Sequence, residues 1–181
     1  MLACSGKPAG YIRTEQAYTN YKLHVEYRWT GRTGNNGILV HMVGEDKVWP
    51  RSLECQGMFH NQGDFFEIGG FEFNEHQAGG HRVGGRRVVK YGSHNEKEPG
   101  EWNTYEVWCV GGTVRPYVNG QLTDVTGEAR RAVQSLAADV YNYLDRSVGK
   151  SKEAYTILLT GGGALADGVR DLDRQLQMDA R

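Results

Sequence analysis

The chain has 181 residues, which is enough for one domain of ordinary size and tight for two. Its 21 Lys and Arg nearly balance its 22 Asp and Glu, which argues against a nucleic-acid partner bound through net charge. Hydrophobic residues make up 39%, sufficient for a folded core, and no apolar stretch has the length of about 18 residues that would span a membrane. The first residues lack the basic and apolar regions of a signal peptide, so none is expected.

The composition changes near residue 126. Every histidine, cysteine and tryptophan lies before residue 110, and most glycines and aromatic residues lie there too. Positive and negative charges balance on both sides of the break. The break predicts two pieces of different structural type, residues 1–126 and 127–181.

The first piece is predicted to be a series of short β-strands. Residues 21–29 alternate apolar and polar side chains, a period of two that is typical of a half-buried strand. A Gly/Asn-rich turn leads to an apolar strand over 37–43. A third strand follows over 52–58, and a fourth, shorter strand over 64–68. Residues 74–87 are rich in Gly, His and Arg and predict a long loop, with a further strand over 87–91.

The remaining strands of this piece are predicted over 104–110, 113–118 and 121–123. Asn119 and Gly120 indicate a type I′ turn between the last two. Pro116 cannot donate a backbone hydrogen bond, so its strand is expected at an edge or bulged there. Many short strands joined by glycine turns predict a mainly β sandwich or jelly roll.

Polar residues on these strands are candidates for a functional site. Glu54 and Gln56 share one face of the third strand, Arg51 begins that strand, and His41 interrupts the strand before it. On a concave sheet such side chains could converge into a sugar-sized cleft, with stacking by one of three aromatic residues: Trp29, Trp49 or Phe65. The alternative is that the polar faces point into water, as half of an ordinary antiparallel strand does.

Six motifs occur in one order, at residues 4–14, 36–41, 47–56, 63–65, 99–106 and 117–120. Together they closely resemble the 3-keto-disaccharide hydrolase family over about residues 4–123. The resemblance implies a concanavalin/laminin-G-like jelly roll, a carbohydrate partner, and cleavage of glycosides whose sugar is oxidised at C3. Members are often exported from the cell.

The resemblance also implies a chemistry. A C3 ketone acidifies the C2 proton, so a base can remove it while the C1 substituent departs, and water then adds to the enone. His41 and Glu54 are the candidates for proton transfer or metal ligation. The remaining candidates would hold the sugar: Arg51 and Arg28 at its oxygens, Gln56 and Asp64 at its hydroxyls, and Trp49 on its ring. A histidine and a carboxylate also suit a divalent cation, although no HxH or HExxH spacing indicates one.

Two features depart from the family pattern. Family domains carry further strands before Ser5 and after the Asn119–Gly120 turn, so we expect a truncated jelly roll with open sheet edges. Asn36 also stands where the family usually has serine.

The second piece predicts a helix over 128–146, a buried strand over 155–159 and a helix through about 177. The turn after the strand is formed by Gly161, Gly162 and Gly163, and such a turn can bring backbone N–H groups close to a phosphate. This α-β-α segment resembles the C-terminal nucleotide-binding part of actin-like ATPases. The other nucleotide-binding loops of that family have no counterpart here, so we expect no ATP binding.

Three hypotheses follow for the whole chain. It is an enzyme that cleaves 3-keto-disaccharides or 3-keto-glucosides by elimination and hydration, or a jelly roll that binds sugar without turnover. The third hypothesis is a chimeric interaction protein of two shortened domains, with self-association through exposed edges or the helix over 128–146.

Overall fold

The computed structural model describes residues 1–79 and 82–128, together with positions 131, 134, 135, 138, 139 and 142. Contacts divide the chain into two units, Met1–Val125 and Thr126–Arg181. The first unit is mainly β and consists of two antiparallel sheets, as the alternating sequence predicted. Within the part of the chain described, no helix is long and apolar enough to cross a membrane.

Nine strands form the two sheets of the first unit. The four-stranded sheet has the order β1-β7-β8-β9, and the five-stranded sheet has the order β2-β3-β4-β6-β5. The strand bounds are β1 Tyr21–Tyr27, β2 Gly37–Val43, β3 Arg51–Gln56, β4 Phe65–Ile68, β5 Val83–Gly84, β6 Arg87–Val88, β7 Asn103–Val110, β8 Thr113–Val118 and β9 Gln121–Leu122.

A core of apolar side chains from both sheets holds the first unit together. Alternation along each strand turns every second residue inward, and those residues form one buried cluster. Burying apolar area of this kind stabilises a fold by about 25 cal/mol per Å². The buried members of the cluster are Val40, Leu53, Cys55, Phe65, Val88, Tyr105, Val107, Cys109, Val118 and Val125.

The predicted turn at Asn119 and Gly120 is confirmed. Both residues have positive φ, 51° and 78°, which a type I′ turn requires. The Asn119 side chain adds to the turn, because its Oδ1 accepts a hydrogen bond from Thr104 N at 2.9 Å. The hairpin β8–β9 therefore closes against β7.

The expected long loop over 74–87 instead contains two short elements. A single helical turn, α1 (Asn74–Gln77), has Glu75 in its first turn, and a small hairpin joins β5 to β6. Gly85 makes the tight hairpin turn with φ of 58°, a conformation that glycine adopts without steric cost. The sequence prediction missed this hairpin because each of its strands has only two residues.

The expectation that Pro116 lies on an edge or bulged strand is wrong. β8 lies between β7 and β9, and its register with β7 is unbroken at Val107↔Pro116. Thr123 N donates to Pro116 O at 2.9 Å, so the backbone polar groups of Pro116 face the β9 side. The missing N–H costs little there because the ladder with β9 pairs only Tyr117 and Val118.

In the second unit, the described positions of the predicted helix over 128–146 are helical. They include Glu128, Arg131 and Asn142, and all are exposed. The predicted strand over 155–159, the glycine turn and the second helix lie outside the described residues.

Candidate functional site

Both faces of β3 are covered. Alternation turns Leu53 and Cys55 toward the core and Ser52, Glu54 and Gln56 toward the outer face of the five-stranded sheet, yet all five are buried. Polar side chains on this face therefore do not simply point into water, so for Glu54 and Gln56 that alternative is wrong. The burial of polar side chains on its outer face is the first feature that distinguishes β3.

Glu54 is the chemically most exceptional of these side chains. It is 6% exposed, and among the described residues it makes no hydrogen bond and no ion pair. Its cross-strand partners are Leu39 on β2 and Phe66 on β4. Burial raises the pKa of the Glu54 carboxyl, and the nearby positive charge of Arg86 opposes that rise in pKa. A carboxyl of this kind can exchange a proton nearer neutral pH than an exposed one.

Gly37 makes the position of Glu54 sterically feasible. The two residues lie diagonally on neighbouring strands, Gly37 opposite Gln56 and Leu39 opposite Glu54. A Cβ atom at Gly37 would overlap the Glu54 carboxylate. Glycine at this point of β2 therefore creates the space that the carboxylate occupies.

Gln56 and Asp64, the predicted hydroxyl-binding pair, are both engaged within the protein. Gln56 Oε1 accepts hydrogen bonds from Gly57 N at 2.8 Å and Met58 N at 2.9 Å. Asp64 is fully buried and accepts hydrogen bonds from Arg87 Nε at 2.8 Å and Lys90 N at 3.0 Å. These contacts hold the turn after β3 and join the start of β4 to β6.

His41 and Arg51 meet at a ring that the sequence analysis did not single out. His41 has φ of 53° at an irregularity between Val40 and Val43, and its ring lies parallel to that of Phe71 with centroids 6.4 Å apart. The Arg51 guanidinium lies 5.8 Å from the same ring, and Arg51 Nε donates to Gly70 O at 3.1 Å.

The structure therefore separates Glu54 from Arg51. Positions 51, 53 and 55 share one face of β3, whereas Glu54 lies on the other face. Phe71, which both His41 and Arg51 contact, packs against the core cluster. The predicted trio of His41, Glu54 and Arg51 is thus divided between Glu54 on the outer face and a His41–Arg51 pair at the end of the strand.

The other predicted sugar-contacting residues are dispersed. Arg28 follows β1 in the four-stranded sheet, and its guanidinium lies 5.0 Å from the Trp102 ring. Of the three candidate stacking rings, Phe65 is in the core and Trp29 donates from Nε1 to Glu96 at 2.7 Å. Trp49 is 58% exposed and keeps its ring open to a ligand.

Sequence reasoning missed Arg86, the cation whose charge acts on Glu54. Arg86 lies in the β5–β6 turn, and its carbonyl oxygen accepts a hydrogen bond from Glu67 N at 2.8 Å, which fixes the turn beside β4. The only signal for it was the run Gly84-Gly85-Arg86-Arg87, which resembles an ordinary basic loop.

Glu96 is a third buried carboxylate, after Glu54 and Asp64, and it lies outside the predicted set. It accepts hydrogen bonds from Tyr27 Oη at 2.9 Å, Trp29 Nε1 at 2.7 Å and His60 N at 2.9 Å. Unlike the Glu54 carboxyl, the Glu96 carboxylate accepts hydrogen bonds that join separate segments of the chain.

Two further expectations concern cofactors. Within residues 1–79, 82–128 and the single described positions, no group of three or more His, Cys, Asp or Glu is arranged to hold a metal ion. Gly161, Gly162 and Gly163, the predicted nucleotide-contacting turn, lie outside the described residues.

Two crystal structures from Parabacteroides distasonis, each described as a candidate glycosyl hydrolase, are similar to this chain. One is 24% identical with a TM-score of 0.40, covering 61% of this chain and 49% of the other. The second is 18% identical with a TM-score of 0.35, covering 65% of this chain and 62% of the other. The chain thus spans about half to three-fifths of these proteins. No curated protein matches it.

The family comparison covers most of the chain. The model of a 3-keto-alpha-glucoside-1,2-lyase-like domain matches residues 1–163. The match continues past the composition break near residue 126, and neither a chimera nor the actin-like resemblance gains support from it. With nine-tenths of its length matched, the chain belongs to the 3-keto-alpha-glucoside-1,2-lyase-like family.

Proposed function

We propose that this protein cleaves 3-keto-glucosides by elimination across the C1–C2 bond, with Glu54 as the residue that takes the C2 proton. The observation that carries the proposal is the buried Glu54 carboxyl, which has no hydrogen-bonding or ionic partner among the described residues. Burial of an unpaired polar group destabilises a fold. A group that carries this cost in folding free energy is therefore a candidate for a functional role. The family's description as 1,2-lyase-like supports the same reaction.

The proposed reaction balances with water as its co-reactant. The C3 ketone makes the C2 proton acidic; Glu54 takes that proton, and the electron pair forms the C1–C2 double bond as the C1 substituent leaves. The leaving oxygen takes a proton from solvent. Water then adds its hydroxyl to C1 while C2 takes a proton from solvent, which gives the 3-keto sugar, and Glu54 releases its proton to solvent. A raised pKa makes the carboxylate a stronger base than an exposed one and so favours the first transfer.

Arg86 is proposed to stabilise the enolate that forms as C2 loses its proton. The effect of its positive charge on the pKa of Glu54 supports this role. A cation close to developing negative charge lowers the barrier to forming that charge. Trp49 is proposed to stack on the sugar ring, as its exposure permits.

A second candidate function is sugar binding without turnover. It is favoured by the separation of Glu54 from His41 and Arg51, which leaves the predicted catalytic trio divided. In that case Trp49 would still bind a sugar ring, and no bond would be cleaved. We propose in addition that the substrate is a 3-keto-glucoside and that the activity belongs to residues 1–126.

The test is the release of the leaving group from a 3-keto-glucoside by wild type, Glu54→Gln and Glu72→Gln. Glu72 is an exposed glutamate and serves as the matched control. We expect Glu54→Gln to lose roughly 10²- to 10⁴-fold in rate, the usual contribution of a proton-transfer residue. Glu72→Gln should keep full activity. Equal rates for all three proteins would refute the role of Glu54, and binding without release would select the second candidate.

A further inference from the structure

We propose that two copies of this chain associate through β1, which pairs antiparallel with β1 of the second copy and joins two four-stranded sheets into one. β1 (Tyr21–Tyr27) is an edge strand, which pairs with β7 alone in the described part of the chain. An edge strand presents a row of unpaired backbone N–H and C=O groups to a further strand. The inference does not depend on the proposed enzymatic function.

The other sheet edges are protected in ways that β1 is not. β5 and β9 have two residues each, too few for a stable new ladder. β2 has seven residues, but its register shifts between Val40 and Val43. β1 pairs with β7 over seven residues without a shift and contains neither glycine nor proline. Short length and bulges are common devices that prevent edge pairing, and β1 has neither.

The sequence of β1 is complementary to itself when read in reverse. With His24 on the two-fold axis, Lys22 faces Glu26 of the second copy, and Glu26 faces its Lys22. On the inward side, Leu23 faces Val25, and Tyr21 faces Tyr27. A two-fold interface requires this kind of reciprocal matching, and opposite charges on facing strands stabilise the pair.

This register is also the one that pairs the most residues. In an antiparallel pair, facing residues lie on the same side of the sheet, so a shift by one residue would set polar against apolar side chains. A shift by two would shorten the ladder and bring Lys22 opposite His24 or His24 opposite Glu26. The seven-residue pairing centred on His24 is therefore the favoured one.

The side chains are positioned to make these contacts. The charged groups of Lys22, His24 and Glu26 are each roughly half exposed or more on the outer face. Lys22 Nζ already lies 2.8 Å from Glu106 Oε1. In the dimer, the Lys22 ammonium would form ion pairs with both Glu106 and the second copy's Glu26. Tyr21, Leu23 and Tyr27 pack only partly against the core, and a neighbouring strand would cover more of their apolar surface.

The test is a charge-swap experiment followed by sedimentation equilibrium of the full chain. In Lys22→Glu, carboxylates would face carboxylates across the interface, and in Glu26→Lys, amines would face amines. We expect each variant to weaken dimerisation roughly tenfold or more, because two attractive pairs become repulsive. Glu72→Lys, an exposed change outside β1, should leave the dissociation constant unchanged.

The decisive sample is an equimolar mixture of the two variants. All facing charges are opposite in a dimer that contains one copy of each, so the mixture should dimerise more tightly than either variant does alone. The double variant Lys22→Glu/Glu26→Lys should recover a homodimer. A wild type that stays monomeric up to its solubility limit, single variants that dimerise normally, or a mixture that stays monomeric would each overturn the proposal.

Discussion

The outer faces of the two sheets have similar sequence patterns and different physical environments. On the five-stranded sheet, Glu54 and Gln56 are buried, and Glu54 has no partner among the described residues. On the four-stranded sheet, Lys22 and His24 are about half exposed and form ion pairs with the partly buried Glu106. Alternation therefore predicts which residues share a face, whereas the packing of the whole fold decides which polar face is buried.

The pKa values of the carboxyls on the two faces are shifted in opposite directions. Burial raises the pKa of the Glu54 carboxyl. On the exposed face, hydrogen bonds from Lys22 and His24 lower the pKa of Glu106 to about 2. Hydrogen bonds stabilise the charged form of Glu106, whereas at Glu54 the effect of burial outweighs the stabilising charge of Arg86. Of these two carboxyls, Glu54 is therefore the one that holds its proton to a higher pH than an exposed glutamate does.

The largest expected effect comes from Asp64, the fully buried carboxylate beside the candidate site. Asp64→Asn should destabilise the protein by about 3–5 kcal/mol, because it leaves Arg87 and Lys90 without their buried counter-charge. Urea unfolding at neutral pH measures this loss. A change near zero would mean that the Arg87–Asp64–Lys90 group does not hold β4 to β6.

A smaller effect is expected at Gly37. Gly37→Ala places a methyl group against the Glu54 carboxylate and should cost about 1–3 kcal/mol, as overpacking usually does. Gly112→Ala is the matched control in the β7–β8 turn, where a Cβ would meet nothing within 4 Å. Thermal unfolding compares the two. Equal effects would show that Glu54 moves away from Gly37 without cost.

The pH dependence of stability separates the two faces further. The folded protein holds a proton on Glu54 more tightly than the unfolded chain does, so stability falls as pH rises through the interval between the two pKa values. Glu54→Gln removes that loss. The variant should be more stable than wild type at neutral pH, with the difference vanishing at acid pH. A wild type more stable than the variant at neutral pH would contradict a desolvated Glu54.

The smallest effect is expected on the exposed face. Glu106→Gln breaks contacts with Lys22 at 2.8 Å and His24 at 2.9 Å. Because these groups are solvated, the change in melting temperature should be slight and should disappear at high salt. A large, salt-independent loss would mean that the two faces are energetically alike. Melting curves at low and high ionic strength decide between these results.

Much of the fold could be predicted from sequence because strand alternation is a local property. Residues 37–43 and 113–118 were predicted as strands with the bounds that the structure shows. The hairpin β5–β6 could not be predicted, since two-residue strands carry no periodic signal. The prediction that Pro116 lies on an edge or bulged strand was wrong. An interior strand tolerates the missing N–H of proline here because the neighbouring strand β9 is short.

The candidate site was predicted less well, because burial and side-chain direction depend on the whole fold. Glu54 was identified as a candidate from its place on β3, but nothing in the sequence indicated that its own face would be covered. His41 was expected beside it, whereas a positive φ turns its ring toward Phe71. Arg86 acts on Glu54 from a turn that the sequence did not predict.

The most direct test of the central claim is exchange of the C2 proton of a 3-keto-glucoside with deuterated water. Nuclear magnetic resonance of the substrate and product follows the loss of the C2 proton signal with wild type, Glu54→Gln and Glu72→Gln. The account predicts deuterium at C2 with wild type and Glu72→Gln, and exchange at the uncatalysed rate with Glu54→Gln. Undiminished exchange with Glu54→Gln, or cleavage by wild type with the C2 proton retained, would contradict it.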